Sequence, residues 1–146
     1  MLAGHLDHWL VREIVHFIKR TLKRLDLTAR SIFAVIEPGS CFAGTLAELA
    51  LAADRSYMLD DPDRPMAIAL SAMNAGLLTM SNGLTRLQAR YFGEPERVGQ
   101  VLAHGGPFDA RGAYDAGLVT FAPDDLDFED EVRVAIEERA SLSPDA

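Results

Sequence analysis

Residues 31–54 read SIFAVIEPGSCFAGTLAELALAAD, and this stretch decides the fold. Residues 31–36 form a short apolar run of β-branched and aromatic side chains, which predicts a buried strand. The Glu-Pro-Gly-Ser segment at 37–40 breaks that strand. Residues 44–53 predict a helix, because Thr45 is able to cap it and apolar side chains recur at helical spacing. The order is therefore strand, tight loop, helix.

The same periodicity predicts the elements on either side. Apolar residues at helical spacing, interleaved with Arg and Lys, predict a long amphipathic helix over 6–25. Short strands are predicted at 55–59, 66–70 and 119–121, and helices at 83–92, 95–103, 109–116 and 127–141. Short strands that alternate with helices indicate an α/β fold with some parallel strand pairing. One domain is sufficient for 146 residues of which 49% are hydrophobic.

Composition excludes several classes of protein. A net charge of −8 argues against nucleic acid as a partner, because binding there requires neutralisation of phosphates. No apolar run reaches the length of about 20 residues that spans a bilayer, so we expect no membrane partner. A single cysteine, Cys41, cannot form an internal disulfide and fits the cytoplasm. Residues 1–30 carry a net positive charge and residues 123–146 a net negative charge. Both segments are interpreted as solvated faces of surface helices; the alternative for the basic segment is a contact with a phosphorylated ligand.

The junction between strand and helix is the candidate site. The first amide groups of a helix have no carbonyl partner and present partial positive charge to an oxyanion. Small residues at 39, 40, 43 and 44 permit close approach, and Glu48 follows one turn into the helix, where it is able to act as an acid or base. Cys41 either lines this pocket or acts as a nucleophile, although no histidine lies near it in sequence.

A metal site is not expected. His5, Asp7 and His8 resemble a ligand cluster by residue type only, and we interpret them as part of a frayed amino terminus.

The motif at 37–46, EPGSCFAGTL, resembles the enoyl-CoA hydratase (crotonase) superfamily, in the branch whose members open the oxidised ring of benzoyl-CoA with water and release formate. The similarity continues through residues 82–87, 117–119 and 137–140. The resemblance implies an α/β spiral of ββα turns, a single crotonase-like domain over 1–146, a homo-oligomer in the complete protein, and an acyl-CoA thioester as substrate. It implies no cofactor, because coenzyme A is part of the substrate.

The resemblance implies roles only for those residues of this sequence that lie at functional positions of the hydratases. Glu48 lies where the hydratases have their first catalytic glutamate, and the amides of Gly44 and Thr45, beside Ala43, lie where the helix-side oxyanion donor is placed. The second glutamate of the hydratases falls on Ala72, which cannot transfer a proton. Asn74 is then either a group that orients water or a carbonyl, or a loop cap.

Glu37, at the end of the strand, is either a replacement acid or base or a loop carboxylate. The second oxyanion amide of the superfamily comes from a loop that nothing here matches. We therefore expect the chain to be an incomplete, carboxy-proximal part of the spiral, divided into a leading helix (6–25), a site region (31–59) and a mainly helical part (83–141).

Three functions follow. The first is the ring-opening lyase reaction of that branch, with an enolate of the thioester held by backbone amides. The second is a generic enoyl-CoA hydratase or isomerase. The third is a non-catalytic segment that binds acyl-CoA or takes part in protein assembly. This hypothesis is favoured by Ala72 and by the unmatched loop.

Overall fold

A computed structural model describes residues 2–142, so the terminal residues, Asp145 of the acidic end among them, lie outside it. The helices are α1 (Trp9–Asp26), α2 (Ala47–Ala52), α3 (Arg86–Arg90), α4 (Pro95–Ala103), α5 (Ala110–Asp115) and α6 (Phe128–Ala140). Single 3₁₀ turns cover Leu2–His5, Gly44–Leu46 and Ala72–Ala75. The strands are β1 (Phe33–Ile36), β2 (Phe42–Ala43), β3 (Arg55–Met58), β4 (Ile68–Ala69) and β5 (Pro107–Phe108).

Two small sheets organise these elements. Strands β1 and β3 pair in parallel, with Phe33 opposite Arg55 and Ile36 opposite Met58. In the second sheet β4 is central, parallel to β2 and antiparallel to β5. Because β2 and α2 both lie between β1 and β3 in sequence, the chain leaves one sheet, adds a strand to the other and returns by way of a helix. This excursion places the start of α2 beside β4 and the turn that follows it.

The main core lies between α2, the sheets and the helices after residue 85. Its fully buried side chains include Ile36, Ala47, Ala50, Met58, Ile68, Leu87 and Leu118. A second cluster joins α1 to the segment after β4 through Val15, Leu22, Met73 and Leu78. A third packs α6 against β3 through Phe128, Ala135, Tyr57 and Leu59. Burial of apolar area in these clusters is the main stabilising contribution, at about 25 cal/mol per Å².

The predicted helix boundaries hold for most of the chain, with one informative shift at the amino terminus. Helix α1 begins at Trp9 rather than residue 6, because His8 is its N-cap and accepts a hydrogen bond from the Leu10 amide through Nδ1 at 3.2 Å. The preceding residues form a 3₁₀ turn, so the expected frayed terminus is wrong. Within residues 2–142 no group of acidic, histidine or cysteine side chains is arranged to hold a metal ion.

The predicted strand at 119–121 is wrong. Only Phe121 forms a bridge, to Tyr57, and the amides of Thr120 and Phe121 both donate to the carbonyl of Ser56. Two strands escaped prediction, β2 and β5, because runs of two residues carry no alternation of apolar and polar side chains. No helix among the described residues has the length and apolar character needed to cross a membrane.

Candidate active site

The start of α2 has the backbone that the sequence predicts for a close approach. Gly44 has φ +53°, in the left-handed region, and a Cβ at this position would lie 3.1 Å from the Ser71 hydroxyl oxygen. Side chains are disfavoured there for both reasons, since an L-residue in this region is strained by about 1–2 kcal/mol. The backbone at position 44, where the 3₁₀ turn begins, therefore favours glycine.

No side chain caps this turn. Ala43 occupies the N-cap position and provides no hydrogen-bonding group. The first amides of a helical turn lack carbonyl partners within it, so the start at Gly44 and Thr45 is left without the usual Ser, Thr or Asp cap. An uncapped start is the arrangement in which backbone amides are able to serve an external oxyanion.

Glu48 lies one turn further on and is almost completely buried, with 1% of its surface exposed. Its Oε2 accepts a hydrogen bond from Arg86 Nη1 at 2.7 Å, and its Oε1 accepts one from Asn74 Nδ2 at 2.8 Å. Each carboxylate oxygen therefore has one protein donor. The carboxylate is held in a fixed plane by groups from two distant parts of the chain.

Arg86 links Glu48 to the carboxyl end of α1. Its Nε and Nη2 donate to the two oxygens of Asp26 at 2.9 and 2.7 Å, and its Nη1 also donates to the Leu78 carbonyl at 3.2 Å. The fork geometry of guanidinium suits such a bidentate contact. One guanidinium thus lies between two carboxylates, with 2% of the Arg86 side chain and 11% of the Asp26 side chain exposed.

Asn74 completes the network from the 3₁₀ turn Ala72–Ala75. Its Nδ2 donates to the Gly44 carbonyl at 2.9 Å as well as to Glu48. Its Oδ1 accepts from the amide of Ser71 at 2.8 Å and from the Ser71 hydroxyl at 3.3 Å. Asn74 is 1% exposed, so it joins the start of α2 to the turn after β4 inside the protein.

Four of the predicted site residues therefore come together: Gly44, Thr45, Glu48 and Asn74. Cys41 and Ala43 are exposed on the segment that leads into this turn. Their role stays a prediction.

Glu37 lies elsewhere. It is exposed and lines a groove of about 510 Å³ against α6, with Val35 and Phe128 among its neighbours. That groove contains no other predicted site residue, so the structure does not place Glu37 with Glu48. Ala72, also exposed, begins the 3₁₀ turn that carries Asn74 and has no group for proton transfer.

Asp26 and Arg86 were missed by sequence reasoning. Asp26 is an acidic residue at the carboxyl end of a helix, and Arg86 a basic residue at the start of one. Both positions oppose the helix dipole, which favours cations at the carboxyl end and anions at the amino end. Two charges of opposite sign that each oppose the dipole of their own helix indicate an ion pair, although the sequence alone does not identify the partner of each charge.

An apolar groove of about 300 Å³ adjoins the start of α2. Its walls come from α1 and from the segment that includes Thr45: Phe17, Ile18, Thr21, Leu22, Thr45, Leu46 and Leu49. Thr45 therefore belongs both to the uncapped turn and to an apolar wall. A group bound there would lie against hydrocarbon, beside the turn that begins at Gly44.

A second cavity, of about 290 Å³, lies at the outer side of the ion pair, lined by Asp26, Arg86 and Arg90 among others. Arg90 donates from Nη1 to the carbonyls of Gly117 and Leu118, each at 3.0 Å. Burial lowers the pKa of the Arg90 guanidinium. Its contacts tie α3 to the segment after α5 and thereby support the position of Arg86.

The fold is that of solved enoyl-CoA hydratase/isomerase, or crotonase, structures. A putative member of that family from Hyphomonas neptunium superposes with a TM-score of 0.70 at 21% identity, over 94% of this chain and 50% of that one. An enoyl-CoA hydratase from Bacillus anthracis superposes with a TM-score of 0.64 at 20% identity, over 97% of this chain and 52% of that one. The predicted crotonase-like α/β fold is confirmed.

In sequence the chain is 55% identical, over 99% of its length, to the benzoyl-CoA-dihydrodiol lyase of Aromatoleum evansii. It covers 26% of that protein, so it spans about a quarter of the length of this relative and about half that of the solved structures. No protein-family model matches the chain. The chain thus has part of the crotonase fold and is a homologue of one segment of a benzoyl-CoA-dihydrodiol lyase.

Proposed function

We propose that the chain is part of an acyl-CoA lyase that opens the ring of 2,3-epoxybenzoyl-CoA with water, giving 3,4-didehydroadipyl-CoA semialdehyde and formate. The observation that carries this proposal is the 55% identity to a benzoyl-CoA-dihydrodiol lyase over 99% of the chain. Enolate chemistry at a thioester needs hydrogen-bond donors directed at the developing oxyanion. The uncapped start at Gly44 and Thr45 supplies backbone amides of the required kind.

In this proposal the amides of Gly44 and Thr45 bind the thioester oxygen and Glu48 transfers the proton. Burial and fixed hydrogen bonds on both carboxylate oxygens support a group held in one orientation relative to those amides. The acyl ring is assigned to the apolar groove beside Thr45. The reaction as proposed uses neither a metal ion nor a redox cofactor.

Hydration of a simple 2-enoyl-CoA is the competing activity. In the hydratases that this sequence resembles, a second glutamate takes part, and Ala72 occupies the matching place. Glu48 is the carboxylate that contacts Asn74 at this turn, while Asp26, the other carboxylate of the network, contacts Arg86. The position of Ala72 provides no carboxylate. This difference favours ring opening over two-carboxylate addition of water.

The test is an assay of the natural full-length protein with 2,3-epoxybenzoyl-CoA and, separately, with crotonyl-CoA. We expect formate from the epoxide and no hydration of crotonyl-CoA. Glu48→Gln should lower the rate of formate release by about 10²-fold or more, the usual contribution of general acid–base catalysis. Hydration of crotonyl-CoA without formate would favour the hydratase, and a rise in melting temperature with acyl-CoA but no product would favour a binding segment.

We propose two further properties. Membership of a homo-oligomer follows from the resemblance to the crotonase superfamily, and size-exclusion chromatography with light scattering would test it. A cytoplasmic location follows from the single cysteine and would be tested by cell fractionation.

A further inference from the structure

The Asn74 side chain uses its full hydrogen-bonding capacity inside the protein. A carboxamide has two hydrogens to donate and two lone pairs to accept with. Nδ2 donates to Gly44 O and to Glu48 Oε1, and Oδ1 accepts from the amide and the hydroxyl of Ser71. Both donor hydrogens and both acceptor lone pairs of the Asn74 side chain are therefore used, at a position that is 1% exposed.

The orientation of this carboxamide is fixed by its partners. A backbone carbonyl only accepts and a backbone amide only donates. The end that faces Gly44 O must therefore be the NH₂ group, and the end that faces Ser71 N must be the oxygen. A loop cap requires only the second contact, so the contacts of Nδ2 need a separate explanation.

The contact with Gly44 acts on the neighbouring amide. The Gly44 carbonyl and the Thr45 N–H belong to one planar trans peptide group and point in opposite directions. A hydrogen bond that fixes the carbonyl therefore fixes the direction of the Thr45 N–H. The Ala47 amide also donates to the Gly44 carbonyl within the 3₁₀ turn. Asn74 adds a second donor from outside the turn, which ties this peptide to the segment after β4 at a residue whose own backbone is little restricted.

The contact with Glu48 acts on the carboxylate. Asn74 holds Oε1 at 2.8 Å and Arg86 holds Oε2 at 2.7 Å, and two donors on different oxygens define the plane of the group. The same NH₂ group thus restrains the carboxylate and the peptide together. Their relative geometry is set through one side chain.

We propose that Asn74 is a positioning residue that orients the Thr45 amide and the Glu48 carboxylate relative to each other. This inference rests on the proposed function and deepens it. Asn74 need not touch the substrate, and its effect is transmitted through two groups that do. It therefore acts on turnover and on polarisation of the thioester carbonyl more than on affinity.

Asn74→Asp in the natural full-length protein separates this role from a loop cap. The aspartate retains an oxygen that accepts from the Ser71 amide, but it places a second oxygen against two acceptors, Gly44 O and Glu48 Oε1. A loop cap survives this change and a positioning contact does not. The matched control is Asn82→Asp, because Asn82 is exposed and its Oδ1 only accepts from the Leu84 amide at 3.0 Å.

The first readout is steady-state formate release. We expect Asn74→Asp to lower kcat by about 10-fold to 10³-fold, up to the effect of losing an oxyanion donor, with KM changed less than threefold. Asn82→Asp should match the parent. An unchanged kcat in Asn74→Asp would overturn the proposal.

The second readout is the infrared carbonyl stretch of bound benzoyl-CoA, which lacks the epoxide. Oriented donors lower this frequency, and we expect Asn74→Asp to return it toward the value of free benzoyl-CoA. A frequency equal to that of the parent would overturn the proposal even if kcat fell. If Asn74→Asp fails to fold, Asn74→Ser, which is smaller and keeps an acceptor, is measured in its place by the same criteria.

The two proposals fail in different ways. A parent protein that lowers the carbonyl frequency but releases no formate contradicts the ring-opening function and still allows Asn74 to be judged by the infrared shift. A parent protein that leaves the frequency unchanged contradicts both, since no oriented amide then acts on the thioester.

Discussion

Replacement of Arg86 by methionine should destabilise the protein by about 3–5 kcal/mol, the range measured when one partner of a buried ion pair is removed. Methionine approximates the length of the arginine stem and adds no hydrogen-bonding group. The side chains of Glu48 and Asp26 would then lie at 2% and 11% exposure with no cation between them. The expected loss is thus one of uncompensated charge rather than of packing.

The magnitude follows from the contacts. Arg86 makes three hydrogen bonds to carboxylates and one to the Leu78 carbonyl. Hydrogen bonds to charged groups contribute about 1.5–3 kcal/mol each. Their simple sum exceeds the expected loss, because removal of the guanidinium also relieves the cost of burying it.

The assay is urea unfolding of the natural full-length protein, followed by far-UV circular dichroism. Arg133→Met is the matched control, because Arg133 also contacts two carboxylates, Asp130 and Glu137, both at 3.0 Å, but is 57% exposed. Exposed pairs contribute about 0–1 kcal/mol. A loss in Arg86→Met as small as that in Arg133→Met would refute the argument from burial.

A double-mutant cycle tests the cause. In the parent, Glu48→Gln removes a partner of Arg86 and should destabilise the protein. In the Arg86→Met background the same change removes an uncompensated charge and should stabilise it. Because the two sites are in direct contact, the effects are not expected to add, and an equal effect in both backgrounds would contradict the electrostatic explanation.

Two further outcomes are expected from unfolding measurements. Gly44→Ala should lower the free energy of unfolding by about 1–2 kcal/mol, since the left-handed backbone at φ +53° disfavours a side chain. The control, Gly99→Ala, lies in an exposed helical position with open space around it and should instead raise the free energy of unfolding by up to about 1 kcal/mol. Equal effects of the two substitutions would contradict the argument from backbone conformation. Burial raises the pKa of the Tyr91 phenol, whose hydroxyl donates to the Ala116 carbonyl at 2.6 Å. Its stabilising contribution is therefore full below the unfolded pKa of about 10 and is lost as the pH rises through the folded pKa. Tyr91→Phe should lose about 1 kcal/mol at neutral pH and unfold with a weaker alkaline dependence; an unaltered dependence would exclude Tyr91 as its source.

Long periodic segments were predictable and very short ones were not. The helix of α1 and the strand of β1 follow from apolar spacing over many residues, and their observed bounds lie within three residues of the predicted ones. By contrast, β2 and β5 exist because β4 lies beside them, which is a tertiary cause. In the segment 119–121, Val119 is buried but Phe121 is exposed, and the segment forms a single bridge, at Phe121.

The candidate site shows the same division. Glu48 was found because it lies a fixed distance after a local motif, and Asn74 because it lies near the expected second acid. Arg86 comes 38 residues after Glu48, and Asp26 is 60 residues from Arg86. Nothing local in the sequence specifies such pairings, since they depend on how α1, α2 and α3 pack.

The separation of these charges also constrains the order of folding. The segment from β1 to β3 is local and would otherwise form early, because nearby contacts cost little chain entropy. Yet the carboxylate of Glu48 is buried in the native state and receives its cation from a helix 38 residues further along the chain. On the ribosome, α2 therefore emerges before its counter-charge exists. Docking of α2 into the core is expected to wait for α3, so that the candidate site forms late and all at once.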